Sequence, residues 1–124
     1  MADKTTQRQR LGRWGETLAA RHLEAQGLQI VARNYRTRKG ELGLVAHQGD
    51  VTVFVEVKAR LSDEFGLPEE AVTERKRQHL LEAAQSVLLE HPEWDGDWRV
   101  EGIAIRRLPG ANEPEIAWFE NVWG

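Results

Sequence analysis

The sequence predicts an α/β fold in which one mixed β-sheet packs against helices, in the order α-β-β-β-α-β-β. Three observations support this prediction. Apolar residues recur at spacings of three and four in two segments, valines alternate along VTVFVEVKAR, and Gly- or Pro-containing turns separate the segments. The 124 residues suffice for one domain with its own core, so we expect a single domain over 1–124 with a flexible arm at 1–7.

The first predicted helix runs from about Gln9 to Gln26, and Gly27 ends it. The second follows an N-cap at Thr73, after a loop over 61–72, and reaches about Glu90. Its buried stripe has the spacing i, i+4, i+7, i+8 and comprises Leu80, Ala84, Val87 and Leu88. Five predicted strands follow LQIVARNYR, ELGLVAH, VTVFVEVKAR, WRVEGIAIRRL and PEIAWFE.

Composition excludes several classes of protein. The chain has no cysteine, which rules out disulfide scaffolds, Cys-ligated metal sites and thiol nucleophiles, and which fits a cytoplasmic location. The longest apolar run is too short to cross a bilayer, so no membrane partner is expected. The net charge of -3 hides an asymmetry: residues 1–77 carry 14 Lys and Arg against 11 Asp and Glu, whereas 78–124 carry 3 against 9.

The third strand ends in the charged tripeptide Glu56-Val57-Lys58, in which Glu56 and Lys58 point to the same side. Burying charges on one face is costly, so a purpose is expected. A carboxylate and an ammonium group there can hold a divalent cation and orient a water, as phosphodiester hydrolysis requires. A same-face salt bridge at a strand end is the more common explanation of this tripeptide.

Two further acids strengthen the prediction of a functional site near Glu56. Glu41 begins the neighbouring strand, and a hairpin would place it near Glu56. Glu16 lies at the edge of the apolar face of the first helix and can reach towards the same place. Each also has a plain structural explanation: Glu41 as a charge protecting a strand end, and Glu16 as an acid near the positive end of a helix dipole.

Basic residues surround these acids. They are candidates for contacts to phosphates, which need positive charge but no base recognition. A solvated surface is the ordinary alternative. The candidate nucleic-acid-binding residues are Arg36, Arg38, Lys39, Arg60, Lys76 and Arg77.

Three segments together resemble the YraN-like family of small bacterial proteins: LGRWGETLAARHLEAQGLQIVARNYR, RKGELGLVAHQGDVTVFVEVKAR and FGLPEEAVTERKRQHL. The resemblance covers roughly residues 10–107. It implies a restriction-endonuclease-like fold of the PD-(D/E)XK superfamily, related to Holliday-junction resolvases. Junction resolvases act as dimers on two-fold symmetric junctions, which makes a homodimer a further expectation, although no self-complementary interface pattern stands out.

The family motifs map onto Glu16, onto Gly40-Glu41-Leu42-Gly43, and onto Glu56-Val57-Lys58. The resemblance implies catalytic roles for Glu41, Glu56 and Lys58, and Mg²⁺ or Mn²⁺ held by Glu56, Glu41 and Glu16. The family has an aspartate where this chain has Gly43. Because that acid is missing, we expect weak metal binding, with Glu41 as a partial substitute on the same strand face.

We therefore expect a protein that binds structured or branched DNA, with metal-dependent cleavage weakened or lost. Two alternatives stay open. One is an active metal-dependent endonuclease that uses Glu41 in place of the missing aspartate. The other, from a different class, is a protein–protein adaptor whose acidic C-terminal half docks a partner.

Overall fold

Two helices flank the sheet in the computed structural model, which describes residues 6–61 and 74–119. Helix α1 spans Gln7–Ala25 and helix α2 spans Glu74–Glu90. Helix α1 begins earlier than predicted because Thr6 and Gln9 form a capping box, in which each side chain bonds the other residue's backbone N–H. The predicted N-cap Thr73, and most of the loop before it, lie outside the described residues.

The described strands form one five-stranded mixed sheet with the spatial order β1-β2-β3-β4-β5. Only β3 and β4 run parallel, and the other three neighbouring pairs are antiparallel. Helix α2 supplies the crossover that a parallel pair needs. The element order therefore confirms the predicted α/β fold class. The strands are β1 (Gln29–Thr37), β2 (Gly40–Gln48), β3 (Val51–Arg60), β4 (Trp98–Arg106) and β5 (Glu115–Phe119).

The two faces of the sheet carry two separate hydrophobic clusters. The α1 face is built around Leu23, Val53 and Val55, which are fully buried. The α2 face is built around Phe54 and Val87. The alternating sides predicted for β3 are confirmed, because odd-numbered valines face α1 and Phe54 faces α2.

One end of the sheet gathers four segments that carry the predicted site. Strands β1 and β3 finish there and β2 begins there, because β2 is antiparallel to both. Helix α2 starts after β3, and α1 runs back to the opposite end before β1 begins. The N-termini of both helices therefore lie at this end, which we call the site end. No helix among the described residues is long and apolar enough to cross a membrane.

Close packing at Gly15 sets the distance between helix α1 and the sheet. A Cβ atom at Gly15 would lie 2.7 Å from the Cβ of Ala59 on β3. Real Cβ atoms do not approach so closely, so glycine is required for this helix–strand distance. The contact brings the next residue, Glu16, towards the end of β3.

Candidate nucleic-acid interface and its carboxylates

The charged end of β3 faces the first turn of α2. The Nζ atom of Lys58 lies 3.1 Å from Oε1 of Glu56, and the Glu56 side chain is only 16% exposed. The Lys76 side chain, on α2, lies beside that of Lys58, so two groups that only donate hydrogen bonds when protonated face one another.

This crowding changes the ionisation of Lys76. Burial, followed by the neighbouring Lys58 side chain and its positive charge, lowers the pKa of Lys76 to about 8. Glu56 acts in the opposite direction, and Arg60 adds to the lowering. The sequence therefore builds a compact cationic group, Lys58 with Lys76, in which positive charges face one another.

Strand β2 is irregular at Gly43, and this irregularity separates the acids. Leu44 packs in the α1-face cluster, whereas Leu42, two residues earlier, packs in the α2-face cluster. A regular strand would place both on one side. The paired residues of β2 and β3 end at Leu44 and Val55, and Asn34 on the other neighbouring strand has a positive φ of 51°.

Glu41 consequently faces the α1 side of the sheet. It lines a pocket there together with Glu16 and Asn34. Its carboxylate lies 3.5 Å from Nε of Arg36, and both side chains are largely exposed.

Glu16 lies in the same pocket and is half-buried. Burial raises the pKa of the Glu16 carboxyl above its ordinary value, and the nearby charge of Glu41 adds to that effect. A hydrogen bond from the Asn34 side chain and the positive charge of Arg33 oppose the shift, while Glu56 raises the pKa further. The three acids therefore influence one another across the open end of the β2–β3 pairing.

The acids do not converge on one point as the sequence predicted. Glu16 and Glu41 lie on the α1 side, whereas Glu56 faces α2. In the part of the chain that the structure describes, no three His, Asp or Glu side chains are grouped to hold a metal ion. The residues present do not fit a Mg²⁺ or Mn²⁺ centre, because Gly43 offers no carboxylate between the two sides.

Gly43 marks the place where such a carboxylate would stand. Continuing the β2–β3 register beyond Leu44 and Val55 sets Gly43 opposite Glu56. A Cβ atom at Gly43 would lie 3.3 Å from the carbonyl oxygen of Val55 and 3.5 Å from the backbone nitrogen of Val57. The same Cβ would lie 3.5 Å from Cγ2 of Val57, so a side chain at position 43 would lie against the part of β3 that contains Glu56.

The predicted basic residues fall into two groups at the site end. Arg36, Arg38 and Lys39 belong to the end of β1 and the turn into β2, and all three are exposed. The second group lies at the end of β3 and the first turn of α2, and it contains Arg60, Lys76 and Arg77. Antiparallel pairing of β1 with β2 and of β2 with β3 brings the two groups to the same end of the sheet, the site end.

Sequence reasoning missed two features of the charged residues. It placed Lys76 on a surface, although Lys76 contacts Lys58. It also gave no role to Glu101, which is fully buried. Glu101 accepts hydrogen bonds from Nε of Arg99 at 2.9 Å and from the Trp118 indole at 3.2 Å. A charged residue within the apolar strand WRVEGIAI was the available signal for a buried, bonded acid.

Fold and site together define a small α/β protein with a mixed basic and acidic surface at one end of its sheet. The model of the Uncharacterised protein family UPF0102 matches residues 15–105, and the chain belongs to that family. Three UPF0102 proteins illustrate the similarity. That of Nocardia farcinica is 47% identical over 119 residues, which cover 94% of this chain and 91% of the relative.

The relative from Pelotomaculum thermopropionicum is 41% identical over 116 residues, covering 94% of this chain and 97% of its own length. The relative from Chlorobium chlorochromatii is 51% identical over 110 residues, covering 88% of this chain and 83% of its own length. The similarity therefore extends over nearly whole chains.

Proposed function

We propose that this protein binds nucleic acid, specifically structured or branched DNA, through the basic residues of the site end, and that phosphodiester cleavage is weak or lost. The observation that carries the proposal is the contact between Lys58 and Lys76 beside Arg60. The resemblance to restriction-endonuclease-like proteins of the PD-(D/E)XK superfamily supports the same function.

A phosphate group relieves the conflict within the lysine pair. Two ammonium groups that face one another repel, and the carboxylate of Glu56, 3.1 Å from Nζ of Lys58, is the acid that lies beside this pair. A phosphate oxygen placed between them accepts from both and neutralises their repulsion. The N-terminus of α2 lies at the same place, where backbone N–H groups favour an anion.

The other basic group extends this surface across the site end. Arg36, Arg38 and Lys39 are exposed at the site end, where they can follow a sugar–phosphate backbone without reading its sequence. This arrangement predicts binding that depends on charge and shape. A homodimer would present two such basic surfaces to a two-fold symmetric junction, and a homodimer is part of the proposal.

Weak cleavage follows from the separation of the acids. Glu56 and Lys58 keep the positions of an E-x-K pair, but position 43 supplies no oxygen ligand. We propose that Mg²⁺ and Mn²⁺ bind only weakly, so that any remaining hydrolysis is slow.

The proposal is tested by the affinity of the full chain for a fluorescent four-way junction and for a duplex of the same length. Arg36→Ala, Arg38→Ala and Lys39→Ala, combined in one chain, should weaken binding of both DNAs at least tenfold, about 1.4 kcal/mol. Arg21→Ala is the matched control, because Arg21 is exposed but lies towards the other end of α1, away from the site end.

A triple variant that binds as tightly as the parent would contradict the proposal. So would equal losses in the triple variant and in Arg21→Ala, because they would show a general charge effect. Incubation of the junction with Mn²⁺ in the same samples measures cleavage directly, and rapid cleavage by the parent chain would contradict the proposed loss of activity.

A further inference from the structure

The pocket on the α1 side is distinct from the lysine pair on the other face of the sheet. It has a volume of about 470 Å³, within the range of roughly 300–1,000 Å³ typical of small-ligand sites. Helix α1 forms one wall and the β1–β2 hairpin forms the other. It is lined by Gln9, Gly12, Arg13, Glu16, Asn34, Arg36 and Glu41.

We infer that this pocket binds one unpaired nucleotide, with Glu16 accepting hydrogen bonds from the base and the arginines at the rim contacting its phosphate. The inference rests on the proposed nucleic-acid binding and names the element of DNA structure that the protein recognises. An unpaired nucleotide occurs at flaps, overhangs and branch points, where a base is free to leave the stack.

Glu16 is suited to a base edge because it is half-buried in the pocket and lies beside the Asn34 side chain. A carboxylate has about four lone-pair sites, so acceptor capacity is left for a ligand. The exocyclic amino groups of guanine, cytosine and adenine can donate there, whereas thymine has no amino group and offers only its ring N3–H.

The backbone conformation of Asn34 also supports a functional role for this pocket. Its φ of 51° is uncommon for a residue with a side chain, and such outliers cluster at functional sites. In this conformation Asn34 interrupts the regular β1–β2 pairing and presents its amide to Glu16.

The basic residues of the pocket are suited to a phosphate. Arg36 lies 3.5 Å from Glu41, and its side chain is 86% exposed. An ion pair this open to water is weak, so Arg36 can exchange Glu41 for a phosphate at little cost. Arg13 is exposed on the opposite wall, one helical turn before Glu16, and a guanidinium group binds phosphate through a planar pair of donors.

Gly12 makes the pocket open and provides a selective way to close it. A Cβ atom at Gly12 would meet no atom within 4 Å, so a larger side chain enters empty space. Gly12→Met therefore fills the pocket without displacing a neighbour, and it removes a glycine from a helix interior, which favours folding. Ala25→Met adds a methionine at an exposed position near the other end of α1, as the matched control.

The experiment titrates dGMP, dCMP, dAMP and dTMP separately into the ¹⁵N-labelled full chain and follows amide chemical shifts. We expect the three nucleotides with amino-bearing bases to bind about tenfold more tightly than dTMP. Gly12→Met should abolish their binding, Ala25→Met should not change it, and Glu16→Gln should remove the preference over dTMP. Binding of a blunt duplex, measured in parallel, should be equal in the parent, Gly12→Met and Ala25→Met chains.

The outcomes separate this inference from the proposed function. Duplex binding without any mononucleotide binding would overturn the pocket assignment and leave the proposed function standing. Equal affinities for all four mononucleotides, or binding that survives Gly12→Met, would overturn it too. Mononucleotide binding that Gly12→Met removes, in a chain that does not bind duplex DNA, would support the pocket and contradict the proposed function.

Discussion

Gly43 is the residue to which we attribute the proposed weakness of metal-dependent cleavage. A carboxylate at position 43 would lie against the part of β3 that contains Glu56, so Gly43→Asp should supply an oxygen ligand that the parent lacks. Without metal, two neighbouring acids repel, and we expect the variant to unfold at a lower temperature than the parent near neutral pH. Gly43→Asn has the same shape without the charge and is the control for the tight space near Val55.

The measurement is thermal unfolding of all three chains with and without Mn²⁺. Metal at a hundredfold excess over Kd should stabilise Gly43→Asp by about 2.7 kcal/mol, with much smaller effects on the parent and on Gly43→Asn. Equal shifts in all three chains would show that the metal binds elsewhere and that Gly43 does not limit binding.

Lys76 gives the site a dependence on pH that a surface lysine would not. Its pKa is about 8 in the folded chain and 10.5 ordinarily, so the unfolded state binds more protons between those values. Stability should therefore increase as pH rises from about 8 to about 10.5, and the cost of charging Lys76 is present in full below pH 8.

The test of this dependence compares Lys76→Met with the parent by thermal unfolding across that range. Methionine keeps much of the side-chain volume and removes the charge. The variant should melt about 2–6 °C higher than the parent at pH 7, since a small domain shifts by roughly 4–8 °C per kcal/mol. The difference should shrink towards pH 10.5. A difference that stays constant with pH would contradict the role given to Lys58.

At the scale of elements, the contact of α1 with β3 depends on one glycine. Gly15→Ala would force its Cβ against Ala59, 2.7 Å away, and neither atom can rotate out of the way. We expect a loss of about 1–3 kcal/mol in the free energy of unfolding, typical of an overpacked contact. Urea denaturation measures this loss.

Two further variants isolate the cause. Ala59→Gly combined with Gly15→Ala removes the opposing Cβ and should recover stability relative to Gly15→Ala alone. Gly12→Ala, three residues earlier on the same helix, meets no atom and should gain up to about 1 kcal/mol from helix propensity. Two glycines of one helix should thus respond in opposite directions. Equal responses would contradict the packing described for Gly15.

The elements also show how far the sequence determined the site. The faces of β3 were predictable, because Val53 and Val55 alternate with Phe54 without interruption. The faces of β2 were not, because the irregularity at Gly43 moves Leu42 to the opposite side from Leu44, and Glu41 turns with it. Alternation in a sequence predicts a face only while the strand stays regular.

The contact of Lys58 with Lys76 could not be predicted from the sequence for a different reason. It depends on where α2 lies relative to the end of β3, and the spacing of residues along the sequence does not determine that distance. The Glu16 pocket likewise depends on how closely α1 packs against the sheet, and Gly15 permits that short distance.

On the scale of the whole molecule, the distribution of charge matters more than its sum. A net charge of -3 would oppose binding of a polyanion if it were spread evenly. The basic residues instead gather at the site end, and exposed charges more than about 10 Å away are largely screened at ~0.1 M salt. A DNA backbone at the site end therefore meets a local surface of the opposite sign.

The most direct test of this account is the salt dependence of junction binding by the full chain, measured as fluorescence anisotropy between low and moderate salt. If about three to five phosphates are contacted, the logarithm of the association constant should fall against the logarithm of salt concentration with a slope of roughly −3 to −5. The variant with Arg36, Arg38 and Lys39 replaced by alanine should show a shallower slope, whereas Arg21→Ala should keep the parental one. A flat response in the parent, or a slope unchanged by the triple substitution, would contradict the claim that the site end binds a nucleic-acid backbone.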